Sequence, residues 1–193
     1  MLSDVEQEDL VNRFVSSFAC LGELTADEQL SPIAWQLVTD VADDCGFRHW
    51  RPLRAATPYA CLSELYGKIP SPFPPLFERL VLSYRWAEVD LRVCRLLANP
   101  PGPDLRGLML EITKDSALAN TLLPAGYLQF GKGADVDYDP VCFDTRTKNG
   151  QGDYRIVKID HEEILCNNRI KVVAEVAESC ERLMMDTIKM ASH

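Results

Sequence analysis

Three short apolar runs lie close together in the chain, and acidic or glycine-rich segments separate them. The runs cover residues 127–130, 140–144 and 154–159. The separating segments are rich in Asp, Asn and Gly, which favour the turns that join antiparallel strands. The pattern therefore predicts an antiparallel meander of three strands.

The third run predicts a strand that is buried on both faces. Side chains alternate along a strand, so Tyr154 and Ile156 share one face, while Val157 and Ile159 lie on the other. Apolar residues on both faces are typical of a central strand that is covered on both sides. We expect Ile156 and Cys142 to be buried. The meander contains no nucleophile–base pair and no set of metal ligands, which indicates an architectural role.

Two helices are predicted in the N-terminal part. Ser3 and Glu6 form a capping-box pattern ahead of apolar residues at helical spacing, which predicts a helix over Asp4–Leu21. A Ser-Pro pair at 31–32 is typical of a helix N-terminus and predicts a second helix over residues 32–45. Both helices should pack on the core. The predicted buried stripe of the second helix comprises Ile33, Ala34, Leu37, Val38, Val41 and Cys45.

The remaining patterns complete an α+β fold with a central mixed, mostly antiparallel sheet and surrounding helices. They predict helices at 61–66, 74–84, 117–123 and 179–190, strands at 48–53, 89–97 and 170–176, and a loop at 99–104. Residues 107–112 could form a helix or a strand, because six residues do not settle the period. A second capping pattern at Asp160 and Glu163 allows only a short helix, since Asn167 and Asn168 follow.

Composition and charge narrow the classes of function. A chain of 193 residues with 47 % hydrophobic and 25 % charged residues is typical of a globular protein. It has no apolar run of about 20 residues and no basic-then-apolar leader at its N-terminus, so no membrane association is expected. A net charge of −9 argues against nucleic-acid binding through phosphates and is compatible with a basic protein partner. Seven scattered cysteines without a C-x-x-C pair indicate reduced thiols in a cytoplasmic protein.

Residues 126–133 nearly match a phosphate-binding loop, GxxxxGK[ST]. The hydroxyl residue that would bind magnesium is replaced by Gly133. An acidic segment follows the motif at the point where a helix N-terminus should begin. The motif therefore favours a strand that ends in a glycine turn, and no cofactor site is predicted.

Asp135, Asp137 and Asp139 alternate in the manner of the start of a calcium-binding loop. An EF-hand requires a glycine next and a glutamate at the twelfth position, where this chain has Pro140 and Arg146. A solvated acidic turn or a different kind of cation site remain alternatives, and we assign no metal site. The three aspartates could also form a partner-facing surface, and they are the candidate binding residues.

No catalytic residues are predicted. His161 could pair with Cys142 or Cys166, but a histidine after a strand is more often a structural residue. The expectation is that the protein is not an enzyme. Trp35, Trp50 and Trp86 are expected in the core or at its rim.

Several segments together resemble the SMI1/KNR4-like family, also called the SUKH superfamily. The resemblance extends over roughly residues 62–190 and is carried by segments at 65–70, 77–80, 123–131, 139–144, 157–162 and 176–183. Among them, D-P-V-C-F-D at 139–144 is similar to the family's "gD-x-(Y/V)-C-(F/L)-D" core. V-K-I-D-H-E at 157–162 is similar to its "V-x-x-x-D-H-E" strand end.

The resemblance implies a mixed sheet with packed helices and a protein-binding function without catalytic residues. Bacterial members of the family are often immunity proteins that neutralise secreted toxins, many of them nucleases, and fungal relatives act in cell-wall and signalling regulation. We therefore expect one domain over residues 1–193, in which a helical extension at 1–58 packs on a family-like core at 59–193. The expected function is an immunity-type protein binder. The alternatives are a regulatory scaffold protein and, further off, a small hydrolase or metal-dependent enzyme.

Overall fold

The computed structural model describes residues 2–27, 33–134 and 137–192. The helices are α1 (Asp4–Leu21), α2 (Ala60–Tyr66), α3 (Pro75–Ser83), α4 (Arg106–Thr113), α5 (Ser116–Leu122), α6 (His161–Asn167) and α7 (Cys180–Ala191). The strands are β1 (Thr25–Asp27), β2 (Phe47–His49), β3 (Leu53–Arg54), β4 (Tyr84–Arg85), β5 (Val89–Asp90), β6 (Arg95–Leu96), β7 (Tyr127–Lys132), β8 (Pro140–Lys148), β9 (Tyr154–Ile159) and β10 (Val172–Ala177). None of the helices in the described ranges is long and apolar enough to cross a bilayer.

The main sheet has six strands in the order β10-β9-β8-β7-β6-β5, and each neighbouring pair is antiparallel. Its centre is the predicted meander, in which Cys142 pairs with Gln129 of β7 and with Val157 of β9. Two small sheets, β1–β2 and β3–β4, lie outside it. The predicted α+β class is therefore confirmed.

The central strands are buried on both faces, as predicted. Ile156 belongs to the larger hydrophobic cluster, which includes residues of α1, α3 and α7. Val157 and Cys142 belong to a smaller cluster with residues of α5 and α6. Cys142 and Ile156 are both fully buried. In the larger cluster, the stacked rings of Phe130 and Phe143 lie 4.2 Å apart.

Capping signals predicted several helices correctly. The Ser3 side chain accepts from the Glu6 amide, and the Glu6 side chain accepts from the Ser3 amide at the start of α1. Ser179 caps α7 and Asp160 caps α6 in the same way as Ser3. Residues 107–112, left open between helix and strand, lie in α4, and Asp115 caps the separate helix α5.

The predicted helix at 32–45 is wrong over its described residues, because this segment forms an irregular hairpin. The Thr39 amide donates to the His49 carbonyl, and the Asp43 amide donates to the Phe47 carbonyl. Asp43 also accepts from the Cys45 and Phe47 amides through Oδ1, a local side-chain bond that competes with helix formation. Among the described residues of the N-terminal extension, α1 is therefore the helical part.

Two predicted strands are also wrong as single strands. Residues 89–97 form a tight hairpin of β5 and β6, in which the Leu91 amide donates to the Cys94 carbonyl. Arg92 occupies its turn with a φ of +68°, and its amide donates to Asp90 Oδ1. Apolar and polar residues alternate over 89–94 in the sequence, which resembles one strand, but the turn reverses the pattern, because Val93 is exposed and Cys94 is buried. Residues 48–53 likewise divide between β2 and β3.

Candidate binding surfaces

The predicted acidic turn is joined by two ion pairs to β9 and to the first residue of α6. Asp137 Oδ2 lies 2.7 Å from Lys158 Nζ, and Asp139 Oδ1 lies 2.7 Å from His161 Nδ1. The same Asp139 oxygen accepts from the His161 amide at 2.9 Å. Asp135, the third candidate residue, lies outside the described residues. Asp137 and Asp139 therefore already have cationic partners within the chain, and their contact with another protein stays a prediction.

These pairs change the ionisation of the groups involved. Burial pushes the pKa of Asp137 upward, but the hydrogen bond from Lys158 and the amide of Asp139 outweigh it and leave the pKa lowered. The hydrogen bond to Asp139 raises the pKa of His161, against the opposing effect of burial. A raised histidine pKa favours the charged imidazolium, so the His161–Asp139 contact is a charged pair over a wider pH range than for an ordinary histidine.

Gly133 allows this turn to fold back on itself. Its amide donates to the Asp139 carbonyl at 2.8 Å. A Cβ atom at Gly133 would lie 2.2 Å from Asp137 Cγ, so a larger residue would displace that carboxylate. The near-match to a phosphate-binding loop therefore corresponds to the end of β7 and a close turn. Lys132, its lysine, pairs with Glu88 at 2.7 Å.

Cys142, Cys166 and His161, the residues considered as a nucleophile–base pair, lie in different environments. Cys142 is fully buried, and burial raises the pKa of its thiol, which favours the unreactive neutral form. His161 contacts Asp139 through Nδ1. Cys166 is exposed on α6. Within the described ranges, no group of three or more His, Cys, Asp and Glu side chains is arranged to hold a metal ion.

A second surface was not predicted, and it lies on the irregular hairpin of residues 33–51, here called the N-terminal hairpin. Trp35 is 80 % exposed and Val41 is 83 % exposed, while Phe47 is 42 % exposed. Beneath them, Leu37 and Trp50 are buried in the main core and anchor the hairpin. The N-terminal hairpin therefore exposes large apolar side chains to solvent while its own buried residues hold it on the core.

Acidic residues accompany these apolar side chains. Asp40 accepts from the His49 amide at 2.9 Å and lies 2.5 Å from His49 Nδ1. Asp43 is occupied by the amides of the turn, so it has a structural role. Asp44 is exposed and makes no hydrogen bond or ion pair to a described residue. The N-terminal hairpin also contains Arg48 and Arg51, so it combines exposed apolar groups with charges of both signs.

The apolar residues at 33–45 have a helical spacing, which predicts a buried helix face in place of this exposed surface. Val41 and Cys45 were predicted in a buried stripe, and both are exposed. Trp35 was expected in the core or at its rim, which is wrong, whereas Trp50 and Trp86 are buried as predicted. The signal that could have revealed the hairpin is the Asp-Asp-Cys-Gly sequence at 43–46, which is typical of a turn.

The motifs that resemble the SMI1/KNR4-like family occupy the centre of the fold. Val141, Cys142, Phe143 and Asp144 are consecutive in β8, and the second motif joins β9 to the start of α6. No protein-family model matches the chain, and no curated protein matches it either. The resemblance therefore rests on the sequence motifs, and membership of the family stays a prediction.

Proposed function

We propose that this chain is a non-enzymatic protein-binding module that uses the N-terminal hairpin as its docking surface. The observation that carries the proposal is the exposure of Trp35 and Val41 on a hairpin anchored in the core. Exposed apolar patches bordered by polar groups are typical of interaction sites. Tryptophan in particular is enriched among the residues that dominate binding energy.

The charge of the chain favours a basic partner. The whole chain has a net charge of −9, and the N-terminal hairpin itself carries Asp40 and Asp44 together with Arg48 and Arg51. Complementary charge accelerates association and selects among partners more than it raises affinity. The apolar side chains of the N-terminal hairpin would then supply most of the binding free energy when they are buried.

Within this proposal, the partner is a secreted toxin that the chain neutralises, and a nuclease is the favoured class. The support comes from the sequence motifs that resemble the SMI1/KNR4-like family, together with the acidic composition. A nuclease that binds nucleic acid needs a basic surface, and an acidic protein can cover such a surface. A regulatory scaffold protein is the alternative role for the same binding surface.

Affinity capture from the native host tests the proposal. The bait proteins are the wild type, a Trp35→Ser/Val41→Ser double variant, and Leu110→Ser as a control at a side chain that is 69 % exposed on α4. A basic protein recovered by the wild type and the control, but not by the double variant, is expected. Equal recovery with all three baits would contradict the docking surface.

The captured partner then separates the two roles. Inhibition of its toxic activity by one equivalent of the chain would support neutralisation. A partner whose activity is unchanged by saturating amounts of the chain would contradict neutralisation and favour the scaffold role.

A further inference from the structure

The turn that joins β8 to β9 is built around Asn149. The Asn149 amide donates to the Asp153 carbonyl at 2.8 Å, and the Gly152 amide donates to the Asn149 carbonyl at 3.0 Å. Gly152 has a φ of +81°, so the loop has the common hairpin form in which a turn is followed by a left-handed glycine. Asn149 and Gly150 are both exposed at this turn.

The side-chain amide of Asn149 is held through its oxygen. Oδ1 accepts from the Gln151 amide at 3.0 Å and from the Asp153 amide at 2.9 Å. Its Nδ2 atom donates no hydrogen bond to a described residue. Two N–H donors stabilise the negative charge that develops on Oδ1 when a nucleophile adds to Cγ. The side-chain carbonyl is therefore polarised, while its nitrogen can leave into solvent.

Gly150 supplies a nucleophile for this carbonyl. Its nitrogen follows Asn149 directly, so attack on Cγ closes a five-membered ring. The Gly150 amide donates no hydrogen bond to a described residue. A Cβ atom at Gly150 would meet nothing within 4 Å, so no neighbouring group restrains this residue. Glycine also has the greatest backbone freedom of all residues, which helps its nitrogen to reach Cγ.

We propose that Asn149 and Gly150 form a site of spontaneous deamidation, which converts Asn149 to aspartate or isoaspartate. Solvent base removes the Gly150 amide proton, and the nitrogen forms a bond to Asn149 Cγ in an intramolecular step. The Cγ–Nδ2 bond breaks, and Nδ2 takes its electron pair and a proton from water and leaves as ammonia. Water then opens the succinimide ring. Cleavage of the new N–Cγ bond gives aspartate, whereas cleavage of the original peptide bond gives isoaspartate.

The two products differ in their effect on α7. Asp153, which is buried beside the turn, accepts from the amides of Cys180 and Glu181 through Oδ2, at 3.0 Å and 3.4 Å. Aspartate at position 149 retains an oxygen that can accept from the Gln151 and Asp153 amides. Isoaspartate inserts a methylene group into the main chain and so displaces Asp153 from the start of α7. Only the isoaspartate product should therefore weaken the packing of α7.

The first experiment is prolonged incubation of the full chain at neutral pH and physiological temperature. Peptide mapping by mass spectrometry measures conversion at each asparagine, and an isoaspartate-specific methyltransferase quantifies isoaspartate. Asn149 should convert faster than Asn120, which is exposed on α5 and precedes Thr121. The matched control Gly150→Ala should slow conversion by about tenfold, because a Cβ restricts the backbone and hinders the nitrogen. Its fold should be unchanged, because the added Cβ meets nothing.

The second experiment compares melting temperatures. The isoaspartate fraction of the incubated protein should melt about 5 °C below the wild type, because α7 loses capping hydrogen bonds. The variant Asn149→Asp should melt at the wild-type temperature. Equal conversion of Asn149 and Asn120, or an unchanged rate in Gly150→Ala, would overturn the site. An isoaspartate fraction as stable as Asn149→Asp would overturn the effect on α7. Residue 149 lies outside the N-terminal hairpin, so neither result bears on the proposed docking surface.

Discussion

At the scale of single residues, Asp144 is a buried carboxylate that accepts hydrogen bonds from the side chains of two arginines. Hydrogen bonds from Arg146 and Arg155 outweigh the opposing effect of burial and lower the pKa of Asp144 to about 2. An acid whose folded-state pKa is lowered stabilises the fold above its unfolded-state pKa of about 3.9. This stabilisation is lost as the pH falls through the folded-state value.

We therefore predict that Asp144→Asn lowers the free energy of unfolding by about 2 kcal/mol at pH 7. The difference between wild type and variant should shrink between about pH 5 and pH 2, because the wild-type carboxylate becomes protonated there. Urea unfolding of both proteins across this range measures it. A difference that stays constant down to pH 2 would contradict the charged role of Asp144.

His161 has the opposite dependence on pH. Because its hydrogen bond to Asp139 raises the pKa of the imidazole, the stabilisation is fully present below the unfolded-state value of about 6.5. It is lost as the pH rises through the higher folded-state pKa.

NMR titration of the His161 ring should therefore give a pKa above 6.5 in the wild type and a lower value in Asp139→Asn. The wild type should also lose stability relative to His161→Gln as the pH rises from 6 to 9. Titration of the wild-type ring at or below 6.5 would show that the pair with Asp139 does not form in solution.

At the scale of elements, the N-terminal hairpin depends on its turn. Gly46 has a φ of +86°, a conformation that residues with a Cβ adopt at a cost. A Cβ atom there would meet nothing within 4 Å, so the backbone conformation alone determines the effect of a substitution. Gly22 is equally open, but its φ of 173° is extended backbone that any residue adopts.

Gly46→Ala should lower the free energy of unfolding by about 1 kcal/mol, whereas Gly22→Ala should leave it equal or slightly raised. Thermal unfolding of the two variants beside the wild type measures the contrast. If neither substitution changed the free energy of unfolding, the positive φ of Gly46, and with it the turn at residues 43–46, would be contradicted.

The same elements explain how much of the fold could be predicted from the sequence. The meander and α1 were predictable because turn residues, caps and apolar period agree locally. The N-terminal hairpin could not be predicted in the same way, because its position also depends on hydrogen bonds to residues distant in sequence. One of them is donated by the Trp50 amide to the Leu24 carbonyl. The apolar positions of residues 33–45 also fit a helical period, so the pattern alone favoured the wrong element.

The residues of the candidate sites could also be predicted only in part from the sequence. The aspartates of the acidic turn were identifiable from their spacing, but their partners Lys158 and His161 follow from the pairing of β8 with β9. Asp144 and Arg146 are close in sequence, whereas Arg155 joins them only through strand register. A sequence pattern reveals residue types, and the sheet determines which of them meet.

At the scale of the whole molecule, the net charge of −9 is what favours a basic partner. The N-terminal hairpin offers the exposed side chains Trp35 and Val41 among charges of both signs. The proposed function requires that this surface supplies the affinity for the protein partner.

The most direct test is the dissociation constant of the captured partner for the wild type, for Trp35→Ser and for Leu110→Ser. Both side chains are largely exposed, at 80 % and 69 %, so neither substitution should unfold the protein. A tryptophan at the centre of an interface typically contributes 2 kcal/mol or more, so Trp35→Ser should weaken binding by more than about tenfold. Leu110→Ser should leave the constant unchanged. Equal dissociation constants for all three proteins would contradict docking through the N-terminal hairpin.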